Sequence, residues 1–190
     1  MAEPRSFADI AARFRRGSDY EILVRPLHAS TVAIVAPHGG GIERATSAVA
    51  RAIAGEDFNL YLFEGRLTAD NHARLHLTSH RFDEPEALAL VARCDRIVTI
   101  HGYNAQPVEP DPGVIVGGLD DALKAELAGA LREAGIEAVT DGLRFQALDP
   151  HNICNRGRRR IGVQLELSGR LRGGPLQPSL VAAVRGVLGR

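Results

Sequence analysis

Apolar and polar positions along the chain switch repeatedly between a short strand-like run and helical spacing. Thr31–Ala36 (TVAIVA) is a short apolar run rich in β-branched residues and predicts a buried strand. Ile42–Ala54 then carries apolar residues at helical intervals. Asn59–Phe63 predicts a second strand, Leu75–Thr78 a third, and Arg96–Ile100 (RIVTI) a fourth. Val114–Val116, Ile136–Thr140 and Gly162–Leu167 (GVQLEL) complete the strand set. Between them, Glu84–Arg93 reads as a helix with Pro85 accommodated in its first turn. Leu119–Ala134 reads as a helix closed by Gly135, and Pro178–Leu188 as a final helix. The first thirty residues contain a short helix, Phe7–Phe14, and a connecting segment. Repeated strand–helix alternation places helices on both faces of a sheet. The expectation is an α/β fold: a single-domain α/β/α sandwich with a mixed sheet over residues 1–190, with 1–17 as a peripheral N-terminal helix. In such open sheets ligands bind beyond the carboxyl ends of the strands.

Composition narrows the function classes. A chain of 190 residues, 45% hydrophobic and 24% charged, can bury a sizeable core. Lys+Arg and Asp+Glu balance at 23 each, which argues against a general nucleic-acid partner. The two cysteines, Cys94 and Cys154, form no CxxC pair, so a disulfide framework is not expected. The N-terminus lacks a continuous apolar h-region, and no run is long enough to cross a bilayer. The expectations are cytoplasmic synthesis without a signal peptide, compatible with release on lysis, no membrane partner, and a monomer.

Chemistry collects in four places. Ala36-Pro37-His38-Gly39-Gly40-Gly41-Ile42-Glu43 follows a strand and opens a helix, so His38 leaves the strand at its carboxyl end and Glu43 folds back toward it. An imidazole and a carboxylate are good zinc ligands; a glycine-rich anion loop at a helix N-terminus explains the same residues. His101, in Thr99-Ile100-His101-Gly102-Tyr103, also ends an apolar strand. Two such histidines and one carboxylate make three ligands with a fourth position open, the form of a catalytic zinc site. In Gly162–Ser168, alternation puts Gln164, Glu166 and Ser168 on one face. A glutamate within an apolar strand is costly unless paired or used, so Glu166 is either a general base beside metal-bound water or a salt-bridge partner of nearby arginines. Asn155-Arg156-Gly157-Arg158-Arg159-Arg160 places four arginines within five residues. Asn155, Arg156 and Arg158 are candidate carboxylate binders. His80 and Tyr103 are candidates to line the cleft. Cys154, with arginines near it, is a competing nucleophile.

APHGGGIE, HLTSHRFDEP, IHGY, VIVGGLD and NICNRGRRRIGVQLELS, in that order, resemble the poly-γ-glutamate hydrolase family of phages and prophage-like genes. The resemblance runs from about residue 18 to the C-terminus. It implies a reduced zinc-carboxypeptidase-like core, one Zn2+ held by His38, Glu43 and His101, and Glu166 as general base. It further implies hydrolysis of γ-glutamyl amide bonds in a polyanionic glutamate polymer. Zinc carboxypeptidases space the first His and Glu as HxxE, whereas four residues intervene here. Their Asn-Arg clamp precedes the last ligand, whereas Asn155-Arg156 follows it. Two further readings remain: an amidohydrolase of small N-acyl amino acids, similar to N-formylglutamate amidohydrolase, and a non-catalytic module binding anionic polymer.

Overall fold

The computed structural model describes residues 4–104, 113–140 and 144–189. Its strands are β1 (Tyr20–Arg25), β2 (Val32–Gly40), β3 (Asn59–Gly65), β4 (Arg96–Tyr103), β5 (Val114–Gly118), β6 (Ala138–Val139) and β7 (Val163–Ser168). Its helices are α1 (Phe7–Ala11), α2 (Thr46–Ala54), α3 (Asn71–Leu75), α4 (Pro85–Val91), α5 (Asp121–Glu133), α6 (Gly169–Arg172) and α7 (Gln177–Leu188), with 3-10 turns at Ser79–Arg81 and Ile153–Arg156.

The strands form one sheet in the order β1-β3-β2-β4-β7-β5-β6. β3, β2, β4 and β7 run parallel. β1 is antiparallel to β3, and β5 is antiparallel to β7, so the sheet is mixed. Alternation along each strand feeds two cores. Ile34, Leu62, Val98, Ile100 and Leu165 meet α2, α5 and α7 on one face. Ala33, Val35, Tyr61, Phe63 and Ile97 meet residues of α1, α3, α4 and the 153–156 turn on the other. The result is the α/β/α sandwich that strand–helix alternation predicts. β2 is buried along nearly all its length, as a central parallel strand must be.

Side chains set the helix starts. Glu84 accepts from the N–H groups of Glu86 and Ala87 and opens α4, with Pro85 at its first position. Asp120 accepts from Leu123 N–H and opens α5.

The structure departs from the pattern in several places. Tyr20–Arg25, taken as connector, is a strand: it lies at the sheet edge, where its half-buried pattern carries a weak signal. Leu75–Thr78 is not a strand. α3 closes at Leu75, and Leu75 and Leu77 are buried as anchors of an irregular segment. The N-terminal helix is packed rather than peripheral, since Ile10 and Phe14 enter the second core. Among the described residues no helix is long and apolar enough to cross a membrane.

Leu165 is fully buried on the strand that carries Glu166. Leu165→Ala should lower unfolding stability by about 2–5 kcal/mol, the usual cost of a core cavity. Denaturant titration checks this; an unchanged midpoint would contradict the packing.

Candidate active site

An extra residue in β2 sets the position of His38. The pairing of β2 with β3 runs Ala36↔Leu62 and then Gly39↔Glu64, so three steps on one strand oppose two on the other. Such a bulge changes the face that the following side chains take, and His38 stays buried. Gly40 follows at φ +62, and a Cβ there would overlap the Gly65 carbonyl. The chain then turns before any helix forms: Glu43 N–H donates to His38 O, Ala45 takes a left-handed conformation, and α2 begins only at Thr46. Glu43 therefore sits in the turn ahead of the helix, not in its first turn.

The turn brings Glu43 against two histidines from neighbouring parallel strands. His38 Nε2 donates to Leu77 O at 2.8 Å, which leaves Nδ1 as its lone-pair atom. That Nδ1 lies 3.0 Å from Glu43 Oε1 and 3.1 Å from His101 Nδ1. His101 Nδ1 is also 3.8 Å from Glu43 Oε2. Gly102 N–H donates to Glu43 Oε2 at 2.8 Å and fixes the carboxylate. Burial would push Glu43 up, but the charge and hydrogen bond of His38, the charge of His101 and the Gly102 N–H together bring it down to about 2. Burial, with His38 beside it, lowers His101 to about 3. As metal ligands the imidazoles would be neutral and the carboxylate ionised, and a shared cation would hold their lone pairs together. The separations of 3.0–3.8 Å match the roughly 3.4 Å edge of a tetrahedron with ligands at about 2.1 Å, so the donor set fits a divalent metal.

His76 joins this group. Its Nε2 is 3.8 Å from Glu43 Oε1, and its ring lies 4.1 Å from that of His38 and 4.4 Å from that of His72. Donor atoms of His38, Glu43 and His76 all fall within 4.8 Å of one another. Burial, with His38 and His72 beside it, lowers His76 to about 3. In sequence the i, i+4 spacing that draws attention to His76 is that with His80, and the extended reading of Leu75–Thr78 discounts it.

Glu166 faces the same space from β7, in register with His101 on β4. Gln164 Nε2 donates to Glu166 Oε1 at 3.0 Å, and Asn152 Nδ2 donates to Gln164 Oε1 at 3.1 Å. Burial and the nearby Glu43 charge push Glu166 well above the usual carboxylate range, while Arg172 and Arg144 draw it back. These residues line a cavity of about 920 Å³ together with His80, Tyr103, Arg44 and Phe145. It opens at the carboxyl ends of β2 and β4, where an open parallel sheet places its ligands.

The cavity is not lined by Asn155, Arg156 or Arg158. Asn155 is fully buried and organises loops: its Oδ1 accepts from Leu119 and Gly162 N–H, and its Nδ2 donates to Ala147 O and Asp149 O. Arg158 forks onto Asp95 through two 2.8 Å bonds, and Arg159 reaches Asp120. The run precedes β7 and packs beside Cys94 and Ile97, at the amino end of β4. The strand then carries the chain about 3.3 Å per residue toward Glu166 at the opposite end. The arginines that do line the cavity are Arg44, Arg144 and Arg172, which come from separate segments.

A family model described as poly-gamma-glutamate hydrolase matches residues 5–175. The chain belongs to this family. UPF0714 protein YndL of Bacillus subtilis (strain 168) is 38% identical over 153 residues, 80% of this chain and 58% of that protein. The SPbeta prophage-derived UPF0714 protein YoqZ of the same strain is 38% identical over 72% of this chain and 48% of its own length. The chain thus spans about half the length of these curated relatives. A solved bacteriophage poly-gamma-glutamate hydrolase superposes with a TM-score of 0.89 at 29% identity, covering 98% of this chain and 96% of that one. A zinc-free YndL structure superposes with a TM-score of 0.87 at 30% identity, covering 98% and 97%. An N-formylglutamate amidohydrolase from Ralstonia eutropha JMP134 shares the fold, with a TM-score of 0.62 at 13% identity over 90% of this chain and 98% of that one.

In this family member Cys154 is fully buried, and burial pushes its thiol well above the ordinary range. A thiol in that state is a poor nucleophile. Cys154 should therefore resist an aromatic disulfide reagent in the native protein and react after denaturation. Rapid labelling of the folded chain would reopen the cysteine mechanism.

Proposed function

We propose that the chain is a zinc-dependent hydrolase of γ-glutamyl amide bonds in poly-γ-glutamate. The observation that carries this reading is the close set of ligand-capable atoms of His38, Glu43 and His101, with Glu166 on the same cavity. Family membership supports the polymer as substrate. The zinc-free form of the YndL relative supports zinc as the metal.

In this reading His38, Glu43 and His101 would hold the ion, and His76 lies beside Glu43 and His38. Zinc, when bound, polarises the scissile carbonyl and acidifies water. Glu166 takes the proton of the attacking water and returns it to the leaving nitrogen. Gln164 occupies Oε1, so Oε2 is the atom that carries the proton. Burial and the Glu43 charge raise the proton affinity of Glu166, and a cation bound beside it would oppose that rise and favour the ionised base. Asn152 and Gln164 keep the carboxyl aimed at the cavity.

Glu166→Gln should lower depolymerisation about 10²–10⁴-fold, the usual worth of a positioned acid–base group, while elemental analysis still finds zinc. An active Glu166→Gln would remove it as the base. His101→Ala should lose zinc and activity together. A chelator should abolish polymer cleavage, and added zinc should restore it. Chelator-resistant cleavage would overturn the metal assignment. Cleavage of N-formylglutamate in preference to polymer would move the chain to small acyl amino acids.

A further inference from the structure

One cation is built into this centre, and the chemistry above does not use it. Arg172, from the short helix α6, is only 8% exposed and lines the cavity. Its Nη1 donates to Arg44 O at 2.9 Å, and its Nη2 donates to Tyr103 O at 3.1 Å. Asn104 Oδ1 lies 3.5 Å from the same Nη2. These bonds fix the plane of the guanidinium. It rests on Gly102, where any Cβ would overlap it. Gly102 directly follows His101 and is the residue whose N–H holds Glu43. The cation therefore sits one residue from two of the proposed zinc ligands.

The setting is unusual for a structural arginine. Glu43 and Glu166 both act on its charge, yet among the described residues no carboxylate forms an ion pair with it. Its Nε is buried without a hydrogen-bond partner. A side chain that only tied Arg44 O to Tyr103 O would need donors but no charge. Burying an unpaired cation beside a metal site is costly unless an anion arrives there. Arg44 and Arg144 line the same cavity, and Arg144 stacks on Phe145 with its guanidinium 4.8 Å from the ring centre.

The proposed substrate supplies such an anion at a fixed place. In a γ-glutamyl chain each amide nitrogen is bonded to an α-carbon that carries a free carboxylate. Every scissile bond thus has an anion one carbon from its leaving nitrogen. An α-linked peptide has a neutral carbonyl there, except at its C-terminal residue. We infer that Arg172 reads the α-carboxylate on the leaving side of the scissile amide, with Arg44 and Arg144 facing the carboxylates of flanking residues. The assignment rests on the proposed function and gives it a specificity determinant. A planar, preorganised fork is suited to a carboxylate.

The test compares a γ-glutamyl oligomer with the same oligomer whose leaving-side α-carboxylate is a carboxamide. The zinc-loaded protein should cleave the carboxylate form with about 10- to 100-fold higher kcat/KM, the range of a charge-assisted hydrogen bond. Arg172→Gln should level the two substrates by losing only on the carboxylate form, and Arg172→Lys should recover part of the preference. A folded Arg172→Gln that loses equally on both would place Arg172 at the scissile carbonyl and overturn the inference. So would equal cleavage of the two oligomers by the unaltered chain, which needs no variant to fold. Calorimetric titration of zinc-loaded Glu166→Gln with each oligomer reads the same discrimination without turnover. Tighter binding of the carboxylate form there supports the inference even if no γ-glutamyl bond is cleaved, and equal affinity overturns it.

Discussion

Ligand-capable side-chain atoms held close together are the constraint around which the cleft is organised. His38 Nδ1, Glu43 and His101 Nδ1 approach to 3.0–3.8 Å, distances that suit shared coordination. Each neighbour acts to hold an acceptor in place. Leu77 O takes the other nitrogen of His38, and Gly102 N–H takes the second oxygen of Glu43. The glycines of the 39–41 turn let the chain double back between β2 and β3 without a side chain in the way. Such a set is expensive to build in a half-buried cleft. The two hydrophobic cores that clamp the sheet from both faces supply the rigidity that keeps it assembled.

Charge around the cleft is arranged in the same way. Glu166 is held by Gln164 at one oxygen and left in surroundings that raise its proton affinity. Arg172 is held by two backbone carbonyls and left without an ion-pair partner among the described residues. Both groups are oriented by the protein, Glu166 through Gln164 and Arg172 through backbone carbonyls, with the Arg172 Nε left without a partner. The conspicuous basic run at 156–160 is the opposite case. Arg158 and Arg159 are already engaged by Asp95 and Asp120, and both ion pairs tie the loop to the body of the fold.

The sequence by itself determined the class of the fold. Period-two runs and helical spacing come from local side-chain placement, so TVAIVA, RIVTI and GVQLEL could be read as strands. It also singled out His38, Glu43, His101 and Glu166, which the fold brings to one cavity, because polar residues at the ends of apolar strands stand out against their neighbours. The edge strand Tyr20–Arg25 and the irregular Leu75–Thr78 were not legible, since each is defined by what it packs against.

Only the tertiary structure decided which cations and which further histidine share the cleft. His76 arrives through α3, and Arg172 through a helix that begins directly after β7. Neither lies beside His38 in the chain, and no local period links them. Asn155 and Arg158, adjacent to β7 in sequence, end up away from the cleft because the length of a strand separates them from Glu166. The bulge between Ala36 and Gly39 is likewise a property of pairing, invisible in one strand alone. Local patterns fix the elements and their reactive ends, whereas long-range pairing and burial decide which of those ends meet.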